Sequence, residues 1–147
     1  MMNECDKLDL SALQKAIRSL TEAYQLVEQH AWFDKQEKIL QDTLIAGLIQ
    51  NFEFVYELSV KMLKRRLEMD AISPDEIDHS NFRDLLRIGA EKGLLKEVNA
   101  WFEYRKMRNI TSHTYDEDKA KQVCLHIKPF LIDANLLCTE LEKRNAD

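Results

Sequence analysis

Asp34–Met69 reads DKQEKILQDTLIAGLIQNFEFVYELSVKMLKRRLEM, and its spacing decides the fold. Leu44, Leu48, Phe52, Val55, Leu58, Met62 and Leu67 recur mostly at intervals of three and four, the inward stripe of an amphipathic helix. No proline interrupts the stretch, so a helix of roughly 35 residues, about 50 Å long at 1.5 Å per residue, is expected. Asp34 is placed to cap its start, with Glu37 in the first turn to favour the helix dipole. Gly47 reads as a point of close helix crossing.

Working outward, Leu10, Leu13, Ile17, Leu20, Tyr24 and Val27 mark a preceding helix that starts at Asp9 or at a Ser11–Gln14 capping box and fades near His30. On the other side, Ser73-Pro74-Asp75-Glu76 has the order of a helix start. Ser80 or Asn81 then opens a short helix with Phe82, Leu85, Leu86 and Ile88, and Gly93 is its C′ residue. Leu94 and Leu95 lead into a helix carrying Val98, Trp101, Phe102 and Met107 that fades around Thr111–Ser112. Asp116 caps the last helix, with Ala120, Val123, Cys124, Ile127, Leu131, Ala134, Leu137, Cys138 and Leu141 in phase. Pro129 should bend this helix without ending it, because the apolar period continues through it.

Composition points the same way. The chain has only 3 Gly and 2 Pro in 147 residues, where average usage gives roughly 10 and 7. Sandwiches and barrels need turn residues far more often. The expected fold is all-α, an antiparallel up-and-down four-helix bundle with an additional short helix, residues 1–147 forming a single helical domain.

A net charge of -5 gives no general attraction to nucleic acid or to an anionic membrane, so any such contact needs a local patch. Lys61, Lys64, Arg65 and Arg66 form one candidate, and Arg105, Lys106 and Arg108 another. Solvated helix faces account for such runs more often than binding does. Trp101 and Tyr104 share a helical face with Arg105 and Arg108, a geometry that could stack a base, although core packing is the safer account of Trp101 and Phe102. The amino terminus lacks the apolar segment of a signal peptide, and the longest apolar run, Leu44–Ile49, falls far short of the ~20 residues of a membrane span. Cys5, Cys124 and Cys138 are odd in number with no C-x-x-C pair, so reduced thiols and a cytoplasmic location are expected. His30, His79, His113 and His126 show no metal-ligand spacing, and no phosphate loop or nucleophile motif is present. No metal and no cofactor are implied.

One stretch carries chemistry: Arg108-Asn109-Ile110-Thr111-Ser112-His113-Thr114-Tyr115. It puts a permanent cation, an amide, a group titrating near neutrality and a phenol at the seam between the last two helices. Those groups suit a phosphodiester. They also suit plain capping of a helix C-terminus.

A helical chain of this length with R-N-x-x-x-H-x-Y before its last helix resembles the HEPN superfamily. It resembles most the stand-alone bacterial type that partners a minimal nucleotidyltransferase, also described as nucleotidyltransferase substrate-binding protein. The resemblance implies a homodimer whose two motifs face each other across a cleft and cleave RNA without a metal. It makes His113 the general acid or base, Arg108 the phosphate ligand and Asn109 their orienting partner; RNA bound there would need a basic patch, for which Arg105 and Lys106 beside the motif are the candidates. It makes Tyr115 the residue to which the partner transferase attaches AMP, silencing a toxin-like nuclease. The alternative that the same resemblance implies is a non-catalytic subunit presenting a substrate to the transferase, as the helical domain does in kanamycin-type nucleotidyltransferases.

Overall fold

A computed structural model describes residues 7–146, and Cys5 lies outside them. The described residues form helices α1 (Ser11–Val27), α2 (His30–Phe33), α3 (Lys38–Asp70), α4 (Asp75–Asp78), α5 (Phe82–Glu91), α6 (Val98–Ile110) and α7 (Glu117–Ala146), with a single 3-10 turn at Thr111–His113. No strand occurs among them, and the fold is an all-α helical bundle. No helix among them is long and apolar enough to cross a membrane.

Helix α3 is the centre. It touches α1, α4, α5, α6 and α7, and so it buries residues from Leu48 to Leu67 on a broad face rather than a narrow stripe. Where α3, α6 and α7 meet, the Phe130 ring stands edge-on to Phe52 at 4.8 Å, Tyr104 at 5.0 Å and Trp101 at 5.9 Å between centroids. Edge-to-face pairs of this kind add roughly 0.5–1.5 kcal/mol each beyond the area they bury. The Tyr104 hydroxyl donates to Asp133, so this buried phenol also ties α6 to α7.

The helix ends follow local rules where side chains can reach them. Asn81 accepts from the Asp84 amide at 2.9 Å and opens α5. Gly93, at φ +79, closes α5, with the Leu94 amide on the Gly89 carbonyl and the Gly93 amide on the Ala90 carbonyl. Asp116 accepts from the Asp118 and Lys119 amides and opens α7. Pro129 sits on the exposed side of α7, where its carbonyl partner can turn to water, and the helix runs through it.

Three expectations are corrected. Asp34 does not cap α3: Trp32 and Phe33 instead lie in a separate turn, α2, with Phe33 packed on the core and its carbonyl taking the Gln41 side-chain amide at 2.8 Å. Helix α3 therefore begins at Lys38, and Asp34 is the C-cap of α2. The Ser11–Gln14 capping box does not form, because Asp9 accepts from the Ser11 amide at 3.0 Å while Gln14 reaches across to Glu142. Gly47 is not a helix crossing, since a Cβ there would meet nothing within 4 Å. The close approach falls at Gly89, whose Cβ would stand 3.1 Å from a Leu63 methyl.

These contacts set two stability outcomes. Phe130→Ala should lower the unfolding free energy by about 3–5 kcal/mol, read from urea denaturation, because three rings lose their partner. Gly47→Ala should raise it by about 0.5–1 kcal/mol by removing backbone freedom from the unfolded chain without a clash. A loss of stability in Gly47→Ala would contradict the open space around that position.

Candidate functional site

The seam between α6 and α7 is a designed turn. The Thr111 hydroxyl, buried, donates to the Arg108 carbonyl at 2.7 Å, and the Thr114 hydroxyl donates to the Thr111 carbonyl at 3.2 Å. The Asp116 amide then bonds the His113 carbonyl at 3.0 Å. These bonds use up the loose carbonyls at the end of α6 and aim the following side chains outward. His113 and Tyr115 are both exposed, with ring centroids 6.1 Å apart in an edge-on arrangement.

Arg108 leaves the last turn of α6 in the other direction, toward α3. Its Nε and Nη2 donate to one oxygen of Glu57 at 3.0 and 2.7 Å, and Nη1 lies 3.4 Å from the Thr111 hydroxyl oxygen. Glu53 stands one helical turn earlier on α3, 4.0 Å from Nη1. The Glu57 carboxylate holds the guanidinium in its charged form, moving its pKa further up. Tyr56, between the two glutamates in sequence, buries its ring, and burial pushes its phenol up to about 12 against the opposing pull of Arg105 and Arg108.

The motif residues are thus distributed over one end of the α3–α6–α7 junction. The structure brings His113 beside Tyr115, and Arg108 beside Thr111, Glu53 and Glu57. No hydrogen bond joins Arg108 to His113 among the described residues, and Asn109 is exposed. Tyr115 also stands at the edge of a groove of about 880 Å³, whose wall includes Ile45, Ile49 and Cys124 and whose rim includes Lys38 and Lys121.

The basic patches are partly corrected. Trp101 and Tyr104 are buried among the aromatic rings, so neither is free to stack a base. Arg66 is also buried, and it forks onto Asp70 at 2.7 and 3.1 Å. Lys64 lies 3.9 Å from Asp78. Arg105 remains exposed while its guanidinium lies 4.3 Å over the Phe82 ring, and exposed Lys106 pairs with Glu103 at 3.2 Å. Cys124 and Cys138 are free thiols whose pKa values burial raises, to about 11 and about 12, which makes them poor nucleophiles near neutrality.

Sequence reading missed Glu53 and Glu57. The signal was present: two carboxylates four apart on one helix repel each other, a cost that a cation from elsewhere can remove.

Fold and site together define a helical-bundle protein with an Arg–Asn–His–Tyr motif at the turn into its last helix. Residues 8–143 match the family described as nucleotidyltransferase substrate binding protein like, and the chain belongs to that family. A relative from Haemophilus influenzae, described as a probable ribonuclease HepT, is 50% identical over 140 residues, which span 95% of this chain and 96% of the relative. A solved Haemophilus influenzae structure, described as revealing the fold of a substrate binding domain of a nucleotidyltransferase, matches with a TM-score of 0.89 at 48% identity. That match covers 91% of this chain and 99% of the other.

The buried phenols give a pH signature. Tyr56 and Tyr104 both have folded-state pKa values above the ordinary 10.0, Tyr56 at about 12, burial being the first cause in each. Their contribution to stability is therefore complete below pH 10 and declines as pH rises from there toward 12. Ultraviolet titration of the folded protein should show late phenol ionisation, with unfolding free energy falling over the same window. A single phenol transition near pH 10 in folded protein would contradict the burial.

Proposed function

We propose that this chain is the helical, HEPN-type subunit of a two-component system with a minimal nucleotidyltransferase. As a homodimer it cleaves RNA without a metal. The observation that carries the reading is the divided motif: Arg108 is anchored on α3 while His113 and Tyr115 project into solvent from the adjoining turn. The kinship with a relative described as a probable ribonuclease HepT supports it.

In this reading the ribose 2′-OH attacks the neighbouring phosphorus. One His113 accepts its proton, and the 5′-oxygen leaves with a proton from the His113 of the second copy. Arg108 stabilises charge on the phosphoryl oxygens as it develops, and Asn109 orients the pair. The products are a 2′,3′-cyclic phosphate and a 5′-hydroxyl, and DNA is excluded for want of the 2′-OH. Exposed Arg105 and Lys106 contact flanking phosphates. The partner transfers AMP from ATP to the Tyr115 hydroxyl, the phenol oxygen displacing pyrophosphate and giving up its proton, and so silences the nuclease, as in a toxin–antitoxin pair; the place of action is the cytoplasm.

A second reading has its own support. The solved structure is described as the substrate binding domain of a nucleotidyltransferase, and the groove beside Tyr115 is of ligand size. There the chain presents an acceptor to the transferase and does not cut RNA.

The test is cleavage of RNA by purified dimer in EDTA. The wild type should cut, His113→Ala should lose about 10²–10⁴-fold in rate, and Arg108→Ala should lose a comparable amount. Equal cutting by wild type and His113→Ala refutes the catalytic assignment. Intact-mass measurement after co-expression with a minimal nucleotidyltransferase partner should show added AMP in the wild type and none in Tyr115→Phe.

A further inference from the structure

We infer that Glu57 is a positioning residue: by holding one edge of the Arg108 guanidinium it presents the other edge to an RNA phosphate. The inference rests on the nuclease reading above and extends it to a residue outside the motif.

A guanidinium offers two edges on which an oxyanion can sit with parallel N–H bonds, a side edge (Nε and Nη2) and an end edge (Nη1 and Nη2). Glu57 spans the side edge with a single oxygen, at 3.0 and 2.7 Å. Thr111 fixes the rotation from behind. Its hydroxyl proton is spent on the Arg108 carbonyl at 2.7 Å, so its oxygen turns a lone pair toward Nη1 at 3.4 Å. Thr111 itself is buried, which makes this support rigid. Glu53 is 4.0 Å from Nη1, beyond hydrogen-bond reach. The end edge thus has no carboxylate hydrogen-bonded to it, although Glu53 stands 4.0 Å from Nη1, and its two terminal nitrogens form the fork that matches a phosphate.

Holding the arginine this way removes rotamer freedom before substrate arrives, so less is lost when the phosphate binds. The arrangement is not explained by stability. The Glu57 side chain is 53% exposed and that of Arg108 is 33% exposed, and ion pairs so open to water add little to folding. The opposing effect is repulsion of the incoming phosphate by Glu53, 4.0 Å from Nη1 and part-exposed, and by Glu57 on the far edge. That of Glu57 acts across the full width of the guanidinium and through water, and the loss of positioning outweighs it.

The experiment uses the full-length dimer with Glu57→Ala, Glu57→Gln and Arg108→Ala. One assay follows cleavage of an RNA oligonucleotide in EDTA; the other follows binding of the same oligonucleotide with 2′-O-methyl riboses, which cannot be cut. Glu57→Ala should lower kcat by about 10- to 100-fold and weaken the methylated RNA, approaching Arg108→Ala. Glu57→Gln retains an acceptor oxygen for the side edge and should recover most of kcat, while melting temperatures stay close to wild type. Glu57→Ala that cuts and binds as well as wild type, or better, overturns the inference, because the carboxylate is then idle or competes with phosphate. A wild type that binds RNA without cutting it ends the nuclease reading, and the methylated-RNA comparison alone then decides on Glu57. A wild type that does neither overturns both.

Discussion

Phe130 sits with no exposed surface against Phe52, Trp101 and Tyr104, and this contact fixes the geometry of the far end of the molecule. One ring from α7, one from α3 and two from α6 meet edge to face, so the three helices cannot slide past one another without separating a buried aromatic cluster. Tyr104 adds a polar tie from the same cluster to Asp133. Arg108 lies one turn beyond Tyr104 on α6, and Glu57 lies just over a turn beyond Phe52 on α3. Their meeting follows from the packing rather than from any attraction strong enough to bring the helices together. The core does the positioning and the surface pair reports it.

The motif end of the bundle is built differently from its core. Arg108 is restrained from α3 and by buried Thr111, whereas His113, Tyr115 and Asn109 are exposed and carry no such restraint. The proposed function would use this division, a cation held in place on each chain and an exposed imidazole from the adjoining turn, at a site assembled across two copies. The exposure of Tyr115, at 84%, equally suits a residue that a second protein must reach.

Most of the fold was legible in the sequence because helical periodicity and capping act locally. Asn81, Gly93 and Asp116 do what their positions suggest, and the stripe from Val123 to Leu141 is buried almost residue for residue. Asp34 and Gly47 were misread because their outcome depends on tertiary contacts: the pull of Phe33 onto the core, and an absence of neighbours that no spacing reveals. Trp101, read in the sequence as more safely core than base platform, is buried against Phe130, a residue on another helix. The motif from Arg108 to Tyr115 could be found in the sequence, but its partner carboxylates on α3 could not be assigned, because the pairing spans 51 residues.

The proposed nuclease requires two copies of this chain to bring their α6–α7 turns face to face, and a distance between copies tests this most directly. A nitroxide on Ser112→Cys, in a chain whose own cysteines are replaced, can be read by pulsed dipolar spectroscopy. A face-to-face dimer should give one narrow, short distance between the two turns. No dipolar coupling, or a separation approaching the ~45 Å length of a 30-residue helix such as α7, would place the motifs at opposite ends and contradict it.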